Sequence, residues 1–154
     1  MISRRIFSLI AAVFAVLLFG TTAAHAGNAH FIASQTSYTT SGGTLTVKFK
    51  EAGLESGSTE TIRISAHLDA TYSCVNGGSK VPSDPKKTTI SGDFSAEDDF
   101  TAGKNGNVSG SLSLFAPSAS DVLDCPPGQR ATFISAVWSN VSIDDLDSGA
   151  HLDL

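Results

Sequence analysis

The side chains of this sequence that could do chemistry are two acidic clusters, a few scattered histidines and a pair of cysteines. Asp144-Asp145-Leu146-Asp147-Ser148-Gly149 contains D-x-D-x-G, a fragment of a calcium loop, and hard oxygen ligands gathered in a turn suit that ion. The downstream bidentate Glu of a complete loop is missing. Asp-Ser-Gly also builds an ordinary hairpin turn leading into Ala150, Leu152 and Leu154. The sequence therefore predicts a turn, no resident metal or cofactor, and no rise in melting temperature with millimolar calcium. Glu97-Asp98-Asp99 reads as a solvated acidic stretch before Phe100. A glycosidase would need two such carboxylates facing each other across a cleft.

Other catalytic patterns fail on inspection. His30, His67 and His151 are far apart in sequence and none has H-x-x-x-H spacing, so a zinc site would have to be assembled from distant segments. The frame nearest to a G-x-S-x-G nucleophile elbow, Gly53 to Gly57, has Glu55 at its centre. Gly103-Lys104 lacks the upstream Gly and downstream Ser/Thr of a phosphate loop. No catalytic residue is assigned, and the chain is read as non-enzymatic.

Cys74 and Cys125 have one possible intramolecular pairing, and an oxidising compartment would form it. Neither has a neighbouring His or C-x-x-C spacing, so the thiols are read as structural. Such a compartment is indicated by the first 26 residues. Arg4 and Arg5 precede an apolar run from Ile6 to Phe19, and Ala24-His25-Ala26 fits an A-x-A cleavage site before Gly27. The run is shorter than the roughly 20 residues that a hydrocarbon core demands. It reads as a cleaved signal peptide. Ser3-Arg4-Arg5-Ile6-Phe7 resembles a twin-arginine signal, but the greasy run after it favours the general secretory route.

The chain has 154 residues with 15 Asp+Glu against 10 Lys+Arg, and the leader contributes basic residues only. Residues 27–154 are therefore acidic, of a size for one domain, and poorly suited to nucleic acid or anionic lipid. Their apolar residues alternate with period two. Ile62, Ile64, Ala66, Leu68, Ala70, Tyr72 and Cys74 are each separated by one polar residue. Leu45, Val47 and Phe49 repeat the pattern, as do Val108, Gly110, Leu112 and Leu114. Phe94, Ala96 and Phe100 follow it in part, and Asn105-Gly106 predicts a hairpin joining that run to Val108. Turns are signalled at Ser41-Gly42-Gly43, Asn76-Gly77-Gly78 and Pro126-Pro127-Gly128. Seven or eight strands joined this way predict an all-β, single-domain antiparallel β-sandwich of immunoglobulin-like architecture with one disulfide. Tyr72-Ser73-Cys74 resembles the end of an immunoglobulin F strand. However, the partner cysteine lies downstream and Trp138 follows both, so membership of the antibody superfamily does not follow.

Four ordered motifs, Phe49-Lys50-Glu51-Ala52-Gly53-Leu54, Tyr72-x-Cys74-x-Asn76-Gly77-Gly78, Gly103-Lys104-Asn105-Gly106 and Cys125-Pro126-Pro127-Gly128-Gln129, are spread between residues 49 and 129. In this arrangement the chain resembles an uncharacterised family of small secreted all-β proteins found in filamentous bacteria and some fungi. The resemblance implies export and a paired-cysteine β-fold. It brings no activity, ligand or functional residue.

The strand from Ala131 to Ile143 has apolar residues on both faces. Phe133, Val137, Val141 and Ile143 are assigned to the core, which puts Ile134, Ala136 and Trp138 on the side that a two-layer sandwich keeps polar. Either a loop or terminal segment covers Ile134 and Trp138, or they form an outward patch for an extracellular protein or glycan. Trp138 and Ile134 are accordingly the candidate binding residues. The expected function is a small secreted binding protein, monomeric and without a membrane partner after signal cleavage. A protease or hydrolase inhibitor presenting the loop from Cys125 to Arg130 is the alternative, and a hydrolase the third choice. Asn107-Val108-Ser109 and Asn140-Val141-Ser142 are glycosylation sequons if the source is eukaryotic.

Overall fold

The computed structural model describes residues 28–78, 82 and 85–154; the leader and its cleavage site lie outside the described residues. Strict alternation produces strands whose inner faces must be buried together, and two antiparallel sheets do so here. The strands are β1 (His30–Phe31), β2 (Ser37–Ser41), β3 (Thr44–Ala52), β4 (Thr59–Asn76), β5 (Lys87–Thr101), β6 (Val108–Phe115), β7 (Gln129–Asp145) and β8 (His151–Asp153). A 3-10 turn occupies Ala33–Gln35, and α1 is a single turn, Ala119–Val122. In one sheet β3 pairs with β6 along one side and with β1 and β2 along the other. The second sheet has the order β5-β4-β7-β8. Among the described residues, no helix is long and apolar enough to cross a membrane.

Leu45, Val47 and Phe49 of β3 meet Ile62, Ile64, Leu68 and Tyr72 of β4 in the core. Every apolar residue of the long alternating run on β4 is buried, as the pattern predicts. Phe49 packs edge-on between Phe31 and Phe100, with ring centroids at 6.0 and 5.0 Å. Gly42 and Gly43, both at positive φ, close the two-residue turn between β2 and β3, where left-handed backbone favours glycine. Cys74 and Cys125 form the expected disulfide, tying the end of β4 to the segment that leads into β7.

Two sequence expectations need correction. Asn105-Gly106 does turn the chain, with Gly106 at φ +68°, but β5 and β6 are not a hairpin: they belong to different sheets. The Gly106 carbonyl accepts the Leu54 amide at 3.0 Å, so the turn is anchored to the β3–β4 connection. Choice of sheet is a tertiary matter on which a local turn signal is silent.

The second correction concerns the faces of β7. Thr71 pairs with Ser135 while Tyr72 pairs with Phe133, leaving Ile134 as an extra residue. Ser65 pairs with Ser142 and His67 with Ser139, so Asn140 and Val141 together oppose Ala66. Asn140 adopts φ +50°, a left-handed conformation that Asn tolerates better than most residues. Each bulge inserts one residue and shifts the inward phase by one. Phe133 points inward, then Ala136 and Trp138, then Val141, Ile143 and Asp145. Val137, expected in the core, is 63% exposed, whereas Trp138 is 7% exposed and packs edge-on against Phe94 at 5.9 Å.

Candidate functional site

Three strands carry their inward alternation one step past the last apolar residue and end on a carboxylate. On β3 Leu45, Val47 and Phe49 are followed by Glu51; on β4 Glu60 precedes Ile62; on β7 Val141 and Ile143 are followed by Asp145. All three acids are buried at one end of the sandwich, and Glu51 has no exposed surface. The turn after β7 adds Asp147 and Ser148. One oxygen each from Glu60, Asp145 and Asp147 lie within 4.8 Å of one another. The Ser148 hydroxyl donates to Asp145 Oδ2 at 2.6 Å and lies 3.4 Å from Glu51 Oε1.

Backbone amides fix the carboxylates of the cluster in place. Asp145 Oδ1 accepts the amides of Asp147 and Ser148, at 2.9 and 3.2 Å, which curls the turn around its own carboxylate. Asp147 Oδ2 accepts the Thr61 amide at 2.7 Å, and the Ser58 hydroxyl donates to Glu60 Oε1. Glu51 Oε2 is buried without a hydrogen-bond partner. Burial, and then the neighbouring Asp145 carboxylate, push the Glu51 carboxyl up from 4.5 to about 8. Glu60 is also raised, chiefly by burial and then by Asp145 and Asp147, against the lowering effect of the Ser58 hydrogen bond.

A pH dependence follows for protein held in EDTA. Between 4.5 and about 8 the folded state keeps a proton on Glu51 that the unfolded chain has released. Stability contributed by this group therefore falls as pH rises through that window and is flat on either side of it. Asp145, Glu60 and Ser148 are the groups facing it. Denaturant midpoints from pH 4 to 9 should decline in the wild type and flatten in Glu51→Gln; equal slopes in both would refute the assignment.

The sequence reading detected only the turn of this cluster. Its reason for rejecting a metal site, the missing downstream Glu, concerned ligands within the loop. Glu51 and Glu60 come from other strands, 94 and 85 positions before Asp145 in the sequence. The available signal was the phase of the three alternating runs.

The outer face of the β5-β4-β7-β8 sheet carries the histidines His67 and His151. His67 Nδ1 lies 2.6 Å from Asp93 Oδ1, and Nε2 lies 3.0 Å from Ser91 Oγ. The connectivity is that of Ser-His-Asp chemistry, but the setting differs. The Asp93 side chain is 89% exposed on a flat strand face, and Asp69 Oδ1 also approaches Nε2, at 3.9 Å. His151 bridges Asp144 and Asp153, and the Asp144 hydrogen bond holds it above the usual histidine range. His30 sits apart, against the Asn28 carbonyl at 2.7 Å.

The two candidate binding residues point in opposite directions. Ile134, the extra residue of its bulge, is 48% exposed, while Trp138 belongs to the core and leaves its indole Nε1 without a partner. Ile134 instead shares exposure with Val137, which sits opposite Asp69 on the outer face. The Pro126–Gln129 turn is closed by the Gln129 amide on the Pro126 carbonyl at 3.1 Å. Pro127 and Gly128, the latter at φ +83°, supply its central residues. Elsewhere, Tyr38, Leu152 and Leu154 line an open groove of about 370 Å³.

The fold and these sites define an all-β sandwich with one disulfide and a buried acidic cluster at one end. No protein-family model matches the chain, and no curated protein matches it. Among solved structures it is similar to the solution structure of R. palustris CsgH, with 13% identity. That match covers 82% of this chain and 92% of the other, with a TM-score of 0.24. So loose a superposition carries no functional argument.

Proposed function

We propose that this protein is a small exported, non-enzymatic binding module that engages an extracellular protein or glycan through the outer face of β7. One observation carries the reading. Val137 and Ile134 stand exposed on a sheet face otherwise made of Ser, Thr and paired charges such as Arg63–Glu97. An apolar pair surrounded by polar groups is the composition of an interface centre with its rim. The disulfide supports an oxidising, extracytoplasmic setting.

The test is retention of the exported protein on insoluble cellulose, chitin and cell-surface preparations, compared with a Val137→Asp/Ile134→Asp variant. Both side chains are exposed, so the variant should fold with a melting temperature close to wild type. Retention should drop at least tenfold, as loss of an interface centre does. Unchanged retention would refute the assignment of this face. Protease inhibition lost on altering Pro126–Arg130 would favour the inhibitor reading. Ester or glycan turnover lost in Ser91→Ala would establish the hydrolase reading.

A further inference from the structure

We infer that the buried acidic end of the sandwich is a calcium site, with Glu51, Glu60, Asp145 and Asp147 as carboxylate ligands. The inference is independent of the β7 binding face. Carboxylate oxygens of Glu60, Asp145 and Asp147 gathered in a poorly solvated place repel one another unless a proton or a cation intervenes. Glu51 Oε2 supplies the separate indication. The residue has no exposed surface and this oxygen has no hydrogen-bond partner, while its side chain reaches Ser148 and Asp145. A fully buried carboxylate beside Ser148 and Asp145, with one oxygen that no protein donor reaches, offers a ligand position next to the cluster.

The chemistry selects the class of ion. The ligand set is all oxygen, without His or Cys, which suits a hard cation and not zinc. Ligands drawn from separate strands and a turn suit the variable coordination sphere of calcium better than the near-ideal octahedron that magnesium demands. The strands and the turn each give up part of their charge to one point, so binding would fasten the end of β7 to β3 and β4.

The experiment is calorimetric titration of the EDTA-stripped exported protein with calcium and with magnesium at pH 7.5, alongside thermal melts. The expected result is one calcium per chain and a rise of about 5 °C or more at 5 mM calcium. Magnesium should give a markedly smaller response. Asp147→Asn, at an exposed position, should fold normally and bind calcium at least tenfold more weakly. Glu51→Gln should melt higher than wild type in EDTA and lose the calcium-dependent rise. Absence of both heat and melting shift in the wild type would overturn the inference. So would a calcium shift retained in both variants, which would indicate diffuse surface screening. An equal magnesium response would overturn the assignment to calcium.

Discussion

Replacing Cys74 and Cys125 together by Ala should lower unfolding stability by about 2–5 kcal/mol. The two residues are 51 apart in sequence, and on the chain-entropy account closing a loop of that length contributes about 4 kcal/mol by restricting the unfolded chain. The native structure also depends on the bond locally. Cys74 ends the alternating apolar run of β4, and Cys125 introduces the Pro126–Gln129 turn that starts β7, the strand paired with β4. Urea titration checks the effect. The variant should show a lower midpoint and a steeper denaturant dependence, because its unfolded ensemble is more expanded. An unchanged midpoint, or free thiols in freshly isolated protein, would show that the bond does not brace the domain.

The second large effect is expected at Trp138. Trp138→Ala should cost roughly 3–5 kcal/mol, because it removes a side chain packed in the core and leaves a cavity beside Phe94. Trp138→Phe should cost much less. It keeps an aromatic ring against Phe94 and removes a buried N–H that has no acceptor, itself a destabilising feature. One position away, Val137→Ala should change stability by less than about 0.5 kcal/mol, since its side chain is largely in solvent. Equilibrium unfolding of the three variants measures the contrast. Similar costs at 137 and 138 would contradict the assigned faces.

The alternating run on β4 was legible because its inward phase is never interrupted: Ile62 through Cys74 keep one face along the whole strand. β7 pairs with that same strand but has two additional residues, and the extra residue of a bulge looks like any other in the sequence. Counting by twos from Val141 therefore misassigned Val137 and Trp138. Asn140 was open to reading as a sequon or a strand residue; its left-handed backbone belongs to the bulge between the Ser65–Ser142 and His67–Ser139 pairs. Turn chemistry was more transparent. Gly42-Gly43 could be assigned because a tight hairpin is a local object, whereas the destination of the chain after Asn105-Gly106 depends on which sheet has room for β6. The acidic cluster was half legible. Continuing the alternation from Phe49 to Glu51, back from Ile62 to Glu60, and from Ile143 to Asp145 puts each carboxylate on an inner face. Their convergence at one end depends on strand register across two sheets, which no single segment encodes.

The core packing and the proposed binding face both depend on the phase of β7, and Trp138 reports that phase directly as the only tryptophan in the chain. Acrylamide quenching of its fluorescence in the native protein is the decisive measurement. A blue-shifted emission, protected from acrylamide until the protein is unfolded, is the predicted result, matching an indole with 7% of its surface exposed. Emission near that of free tryptophan with strong native-state quenching would place Trp138 outside, return Val137 to the core and contradict the binding face proposed on β7.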